Sequence, residues 1–176
     1  MSKPVPSATM TALLAGISSL SSPGARLSCR VLAYRESIPP GLSGGYVSLT
    51  SERRALQIGL LSDILGWRSL HGVVEPDEAR ARDEVIEVAR DLVTVVAHAF
   101  AGELLDEPAL SIGLPLFVEG GVLAGPETDV QAADIVLGST RALLVLLTPR
   151  SEGCGAAKAE AKAGATSVAL GLEVPR

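Results

Sequence analysis

Apolar residues recur along this chain in two rhythms, one of helical and one of strand period, and the longest run is helical. Between residues 82 and 104, Val85, Ile86, Leu92, Val93, Val96 and Phe100 fall on one side of a 3.6-residue turn. Glu87, Asp91, Thr94 and His98 fall opposite, within about 60° of one another. The spacing predicts one long amphipathic helix with a narrow polar stripe. Pro76 and Asp77 introduce it, and Asp106, Glu107 and Pro108 stop it. Residues 8 to 20 predict a shorter apolar helix, ended by Ser21, Ser22, Pro23 and Gly24.

Strand period governs most of the remainder. Leu27, Cys29, Val31 and Ala33 alternate with Ser28, Arg30, Leu32 and Tyr34, and residues 45 to 50 form a second such run. With only Pro39, Pro40 and Gly41 as punctuation between them and no room for a crossover helix, an antiparallel hairpin is the expected connection. Thr50 or Ser51 then reads as the cap of a further helix. Glu52 lies in its first turn, Leu56, Leu60, Leu61, Ile64 and Leu65 form its apolar face, and Gly66 ends it. Residues 67 to 76 read as a connector in which Trp67 is a buried anchor and His71 a surface histidine. Three strands are expected at 112 to 119, 130 to 137 and 141 to 148, the last two joined as a hairpin at Gly138 and Ser139. Leu143, Leu144, Val145, Leu146 and Leu147 are apolar at every position, so that strand is covered on both faces, by helices on one side and by a partner or another layer on the other.

These elements imply an α+β fold, a mostly antiparallel sheet packed against helices with the long helix exposed along its stripe. The chain divides into a loose lead-in at 1–7, a folded domain at 8–149, an Ala/Gly/Lys-rich linker at 150–166 and a strand-like tail at 167–176. Such a tail is suited to pairing with its own sheet edge or with a second copy, and the apolar 143–147 run also argues for a homodimer.

Composition narrows the chemistry. With 47% hydrophobic and 20% charged residues the chain forms a real core, but at 3% aromatic content it has little to stack against bases or sugars. A net charge of −5 argues against nucleic acid as a partner. Cys29 and Cys154 stand apart, without a second ligand at metal spacing, so neither a zinc site nor a disulfide framework is expected, and a reducing cytoplasm is the expected compartment. The N-terminal run makes a poor signal peptide, and no stretch approaches the roughly 20 apolar residues that span a bilayer.

The long helix followed by Gly113-Leu114-Pro115-Leu116-Phe117-Val118, and preceded by the Gly-rich run Gly44-Gly45-Tyr46-Val47-Ser48-Leu49, resembles the chemotaxis phosphatases of the CheX and CheC type over residues 8 to 149. That family carries, on a long exposed helix, an acidic or small polar residue, then Glu, then Asn, followed by a Leu-Pro or Pro-Pro strand. The matching positions here are Glu87, Asp91 and Thr94. No second copy of the motif occurs in residues 8 to 20, so the single-site CheX form is the nearer likeness.

The resemblance implies a phosphorylated response-regulator receiver domain as partner. The receiver supplies the phosphoaspartate, a lysine and Mg²⁺, and the present chain needs no cofactor of its own. In the family the Asn amide orients the attacking water and the Glu pairs with the receiver lysine, which is catalysis by positioning. Asp91 and Thr94 would hold the catalytic positions, with Glu87 and His98 as binding residues at the rim. Both catalytic positions depart from the pattern. Aspartate is one methylene shorter than glutamate, and a threonine hydroxyl lies near the backbone, where it is able to bond back to the carbonyl four residues earlier. Two readings weigh equally: an active aspartyl-phosphate phosphatase, and a catalytically silent CheX-like adaptor using the same helix. A dimeric interaction module without a receiver ranks third.

Overall fold

The computed structural model describes residues 6–20, 29–71, 78–104, 110–119 and 124–150. In chain order the elements are α1 (Ala8–Ser19), β1 (Cys29–Arg35), β2 (Ser43–Thr50), β3 (Ala55–Ser62), α2 (Ile64–His71), α3 (Glu78–Glu103), β4 (Ser111–Ile112), β5 (Leu116–Val118), β6 (Thr128–Leu137) and β7 (Thr140–Pro149). The strands form one sheet in the order β1-β6-β7-β3-β2-β4, with β5 also on β2, and every pairing is antiparallel. This is the α+β class that the hydrophobic pattern implies.

The order contains a pseudo-two-fold. Exchanging α1-β1-β2-β3 for α3-β5-β6-β7 reproduces the same strand sequence read from the other edge, so each β1-like strand pairs with the other half. That crossing overturns the expected hairpin of 27–34 with 45–50. β1 lies against β6, and β2 against β3. Four strand spacings separate β1 from β2, about 19 Å, and eight extended residue steps reach roughly 26 Å, so the short connection is long enough to cross the sheet. It crosses on the face away from the helices, where Ile38 and Leu42 pack against Tyr46, Leu61, Ala132, Leu143, Val145 and Leu147. The second layer anticipated over the 143–147 run is therefore at least partly this strap. β7 itself lies between β6 and β3, so the run is interior to the sheet and gives no argument for a strand-paired dimer.

The helix expected at 51–65 is also a correction. Residues 55 to 62 are β3, a central strand in which Leu56, Ile58 and Leu60 face the helices and Leu61 the strap side. Ser51 performs its capping chemistry on a hairpin turn: its Oγ accepts from the Arg53 and Arg54 amides at 3.2 and 3.1 Å, and its own N–H donates to the Arg54 carbonyl at 2.8 Å. The helix starts only after Asp63, whose Oδ1 accepts from the Gly66 amide at 2.6 Å, so Gly66 belongs to the first turn of α2 rather than to a terminus. Trp67, expected in a connector, is inside α2. It is the buried anchor anticipated, 0% exposed, with Nε1 donating to the Ser43 carbonyl at 2.8 Å. The side chain of His71 and the 151–176 linker and tail lie outside the described residues. The single strand expected at 112–119 is two short ones, β4 and β5, split at Gly113, Leu114 and Pro115, because proline has no N–H to donate to β2. Within the lead-in, Ser7 caps α1: its Oγ accepts from the Met10 amide at 3.1 Å.

Tyr46 on the strap face is 5% exposed, and its hydroxyl has no hydrogen-bond partner among the described residues. Burial pushes its phenol above the ordinary range. The folded state thus holds Tyr46 neutral while the unfolded chain ionises it above about pH 10, so the protein loses stability as pH rises beyond that value. Tyr46→Phe should raise stability by about 1 kcal/mol at neutral pH and flatten the alkaline decline, as read by urea melts at pH 7 and pH 11.

Candidate functional site

The candidate site is the outer face of α3, and the position of that helix is set by two glycines. Gly45 in β2 lies beneath the helix: a Cβ there would fall against the Ala89 carbonyl oxygen and 2.8 Å from Val93 Cγ1. Gly16 of α1 lies against its far half, where a Cβ would sit 2.9 Å from the Phe100 amide nitrogen. With no side chain at either contact, α3 seats directly on the sheet and on α1. Val85, Ala89, Val93, Val96, Ala97 and Phe100 are buried in the main core with Leu49, Ile58 and Leu144. At its N-terminal end Arg82 makes a two-pronged pair with Glu119 just beyond β5, Nε to Oε1 at 2.9 Å and Nη2 to Oε2 at 2.7 Å.

The phase predicted from the wheel is the phase observed. Glu87, Asp91 and His98 are exposed and Thr94 is half-buried, on one continuous helix. Of the opposite wall, Val85, Val93, Val96 and Phe100 are buried, whereas Ile86 and Leu92 are only partly so. The Thr94 hydroxyl donates to the Arg90 carbonyl at 2.8 Å, the back-bond that its short side chain invites. Thr94 therefore shows the outside a methyl and an oxygen lone pair close to the helix, not a free donor. Arg90, exposed, borders the stripe.

Val95 was not legible as part of this surface. It is 44% exposed, four residues after Asp91 and three before His98, so it adjoins both on the helix. Beside it Ile17, Leu20, Leu92 and Val96 line a shallow apolar cleft where α1 meets α3. The exposure of Val95 depends on where α1 ends, which α3's own sequence does not encode.

Of the two helices related by the pseudo-two-fold, only α3 carries charge. The exposed residues of α1 are Ala8, Thr11, Ala15, Ser18 and Ser19, and the hydroxyls of Thr11, Ser18 and Ser19 donate to the carbonyls of Ser7, Leu14 and Gly16. Among the described residues no group of three or more His, Cys, Asp or Glu side chains is placed to hold a metal ion. No helix among them is long and apolar enough to cross a membrane.

No protein-family model matches the sequence, and no curated protein does either. Solved structures do match. The chemotaxis protein CheX from Vibrio vulnificus superposes with a TM-score of 0.61 at 14% identity, covering 80% of this chain and 98% of its own. A CheC-like superfamily protein from Shewanella sp. PV-4 gives 0.62 at 12% identity, with 81% and 98% covered. CheX from Borrelia burgdorferi, solved in complex with CheY, BeF3 and Mg²⁺, gives 0.57 at 14% identity, with 81% and 96% covered. One sheet with a split outer strand, the crossed halves and the exposed long helix of this chain thus make up the fold of the CheX and CheC-like chemotaxis proteins.

Proposed function

We propose that this chain is a CheX-like signalling protein that binds a phosphorylated response-regulator receiver domain through the outer face of α3. One observation carries the reading: on a fold shared with CheX, a rigid helix presents Glu87, Asp91 and His98 exposed and in line, while the related helix presents no charge. The Borrelia burgdorferi CheX whose fold this chain shares was solved bound to CheY, which supports a receiver as the class of partner. Mg²⁺ belongs to the receiver in this proposal, and the expected compartment is the cytoplasm. Among the described residues, a homodimer through strand pairing is open to the two sheet edges, β1 and β4–β5.

If the chain hydrolyses the aspartyl phosphate, Asp91 and Thr94 are the acting pair and Glu87 and His98 the rim. The Thr94 to Arg90 hydrogen bond favours the second reading, binding without hydrolysis, because the hydroxyl proton that would help orient a water is already donated. The test is a titration against a panel of receiver domains from the organism that makes the protein, each with and without acetyl phosphate and Mg²⁺. At least one should bind more tightly when phosphorylated, and Asp91→Lys should weaken that complex about tenfold or more, by reversing a charge at the interface without touching the core. A panel in which phosphorylation changes no affinity, or in which Asp91→Lys binds like the wild type, would overturn the reading.

A further inference from the structure

We infer that α3, once docked, shields the receiver's phosphoryl group from water and so prolongs the phosphorylated state. The inference rests on the receiver-binding reading above and adds what the contact does to the phosphoryl group.

Four observations support it. The chain has no side-chain amide to offer: its sequence contains no asparagine, and its two glutamines lie on the sheet. Gln57 Nε2 donates to Ser48 Oγ at 3.4 Å, and Gln131 Oε1 accepts from the Ser7 amide at 3.1 Å. The hydroxyl of Thr94 is tied to Arg90, as described. What remains on the stripe is the carboxylates of Glu87 and Asp91, with the imidazole of His98 a turn beyond Thr94, and an ionised carboxylate enters a pocket that already holds a phosphoryl anion only when paired with a cation there, which occupies the oxygens that would otherwise direct a water. Finally, the stripe has an apolar border. Val95 projects beside Asp91 and His98, continuous with the cleft of Leu20 and Leu92. A polar centre edged by apolar contact is the arrangement that excludes solvent from an interface. Acyl-phosphate hydrolysis consumes one water, and a docked surface that removes bulk water and positions none slows the reaction.

The experiment uses the full chain and the receiver identified by the titration above, charged with acetyl phosphate and Mg²⁺, and follows phosphate release after the phosphodonor is removed. At saturating chain the half-life of the phosphorylated receiver should lengthen severalfold. With occupancy matched, Val95→Asp should restore most of the lost rate by admitting water at the rim, and Val95→Ser carries the same comparison should the aspartate variant not fold. A receiver that is bound yet decays at its own rate or faster overturns the shield and leaves receiver binding standing. A receiver panel with no phosphorylation-dependent binding sinks the receiver reading, and the shield with it.

Discussion

Replacing Gly45 by valine should lower stability by about 3 kcal/mol or more and the melting temperature by roughly 10 °C. The reason lies in what the position holds apart. β2 is fixed by its ladder to β3 on one side and to β4 and β5 on the other, so it does not retreat from the helix. α3 is fixed from the other direction by Val93, Ala97 and Phe100, each 0% exposed. An added Cβ would meet the backbone oxygen of Ala89, which cannot rotate away as a side chain would, and would press on Val93 as well. The helix must lift, opening a gap over Ile58 and Leu60, both fully buried. Because the stripe moves with the helix, the proposed receiver binding should fall with stability. Urea and thermal melts of the variant check the first effect, and titration at a temperature where the variant remains folded checks the second. A melting temperature within a few degrees of the wild type would mean that α3 does not rest on β2 as described.

That helix was the most legible element of the sequence, and β3, the neighbour of the strand it rests on, the least, for related reasons. α3 keeps one apolar period over many turns, and no alternating pattern competes with it. The β6–β7 hairpin was readable because Gly138, with φ +60, supplies a turn conformation that other residues resist. β3 was read as helix because its residues fit both periods. Leu56, Leu60, Leu61, Ile64 and Leu65 fit a helical face, while Leu56, Ile58 and Leu60 fit alternation, and a central strand buried on both faces need not alternate at all. Ser51 did not decide the matter, because the oxygen that caps a helix equally well closes a tight turn. The partner of β1 was not legible for a different reason: its register with β6 joins residues about a hundred positions apart, and nothing local in Cys29–Arg35 specifies it. The candidate site was readable as far as α3 alone defines it, which includes the directions of Glu87, Asp91, Thr94 and His98. Its apolar border was not, since two helices make it.

Under the proposed receiver-binding function, Thr94→Asn should reverse the sign of the chain's effect on a phosphorylated receiver while leaving the fold intact. Threonine and asparagine have similar helix propensities and the side chain is only half-buried, so the stability change should stay within about 0.5 kcal/mol. The substitution releases the Arg90 carbonyl from the threonine hydroxyl and places a carboxamide at the same position, one atom longer, with an acceptor and two donors directed outward. In a site where chemistry depends on where one water sits, a misplacement of about 1 Å is worth roughly a hundredfold, so supplying the missing group should accelerate phosphate loss by up to about that factor relative to the wild-type complex. The measured half-life should pass from longer than that of the free receiver to shorter. Asp91→Glu added to Thr94→Asn should gain further by restoring the reach of the carboxylate, and the two changes should be more than additive because they act on one bound phosphoryl group. A Thr94→Asn protein that still binds and still prolongs the phosphorylated state as the wild type does would show that the receiver meets α3 along a different line, with position 94 outside the pocket.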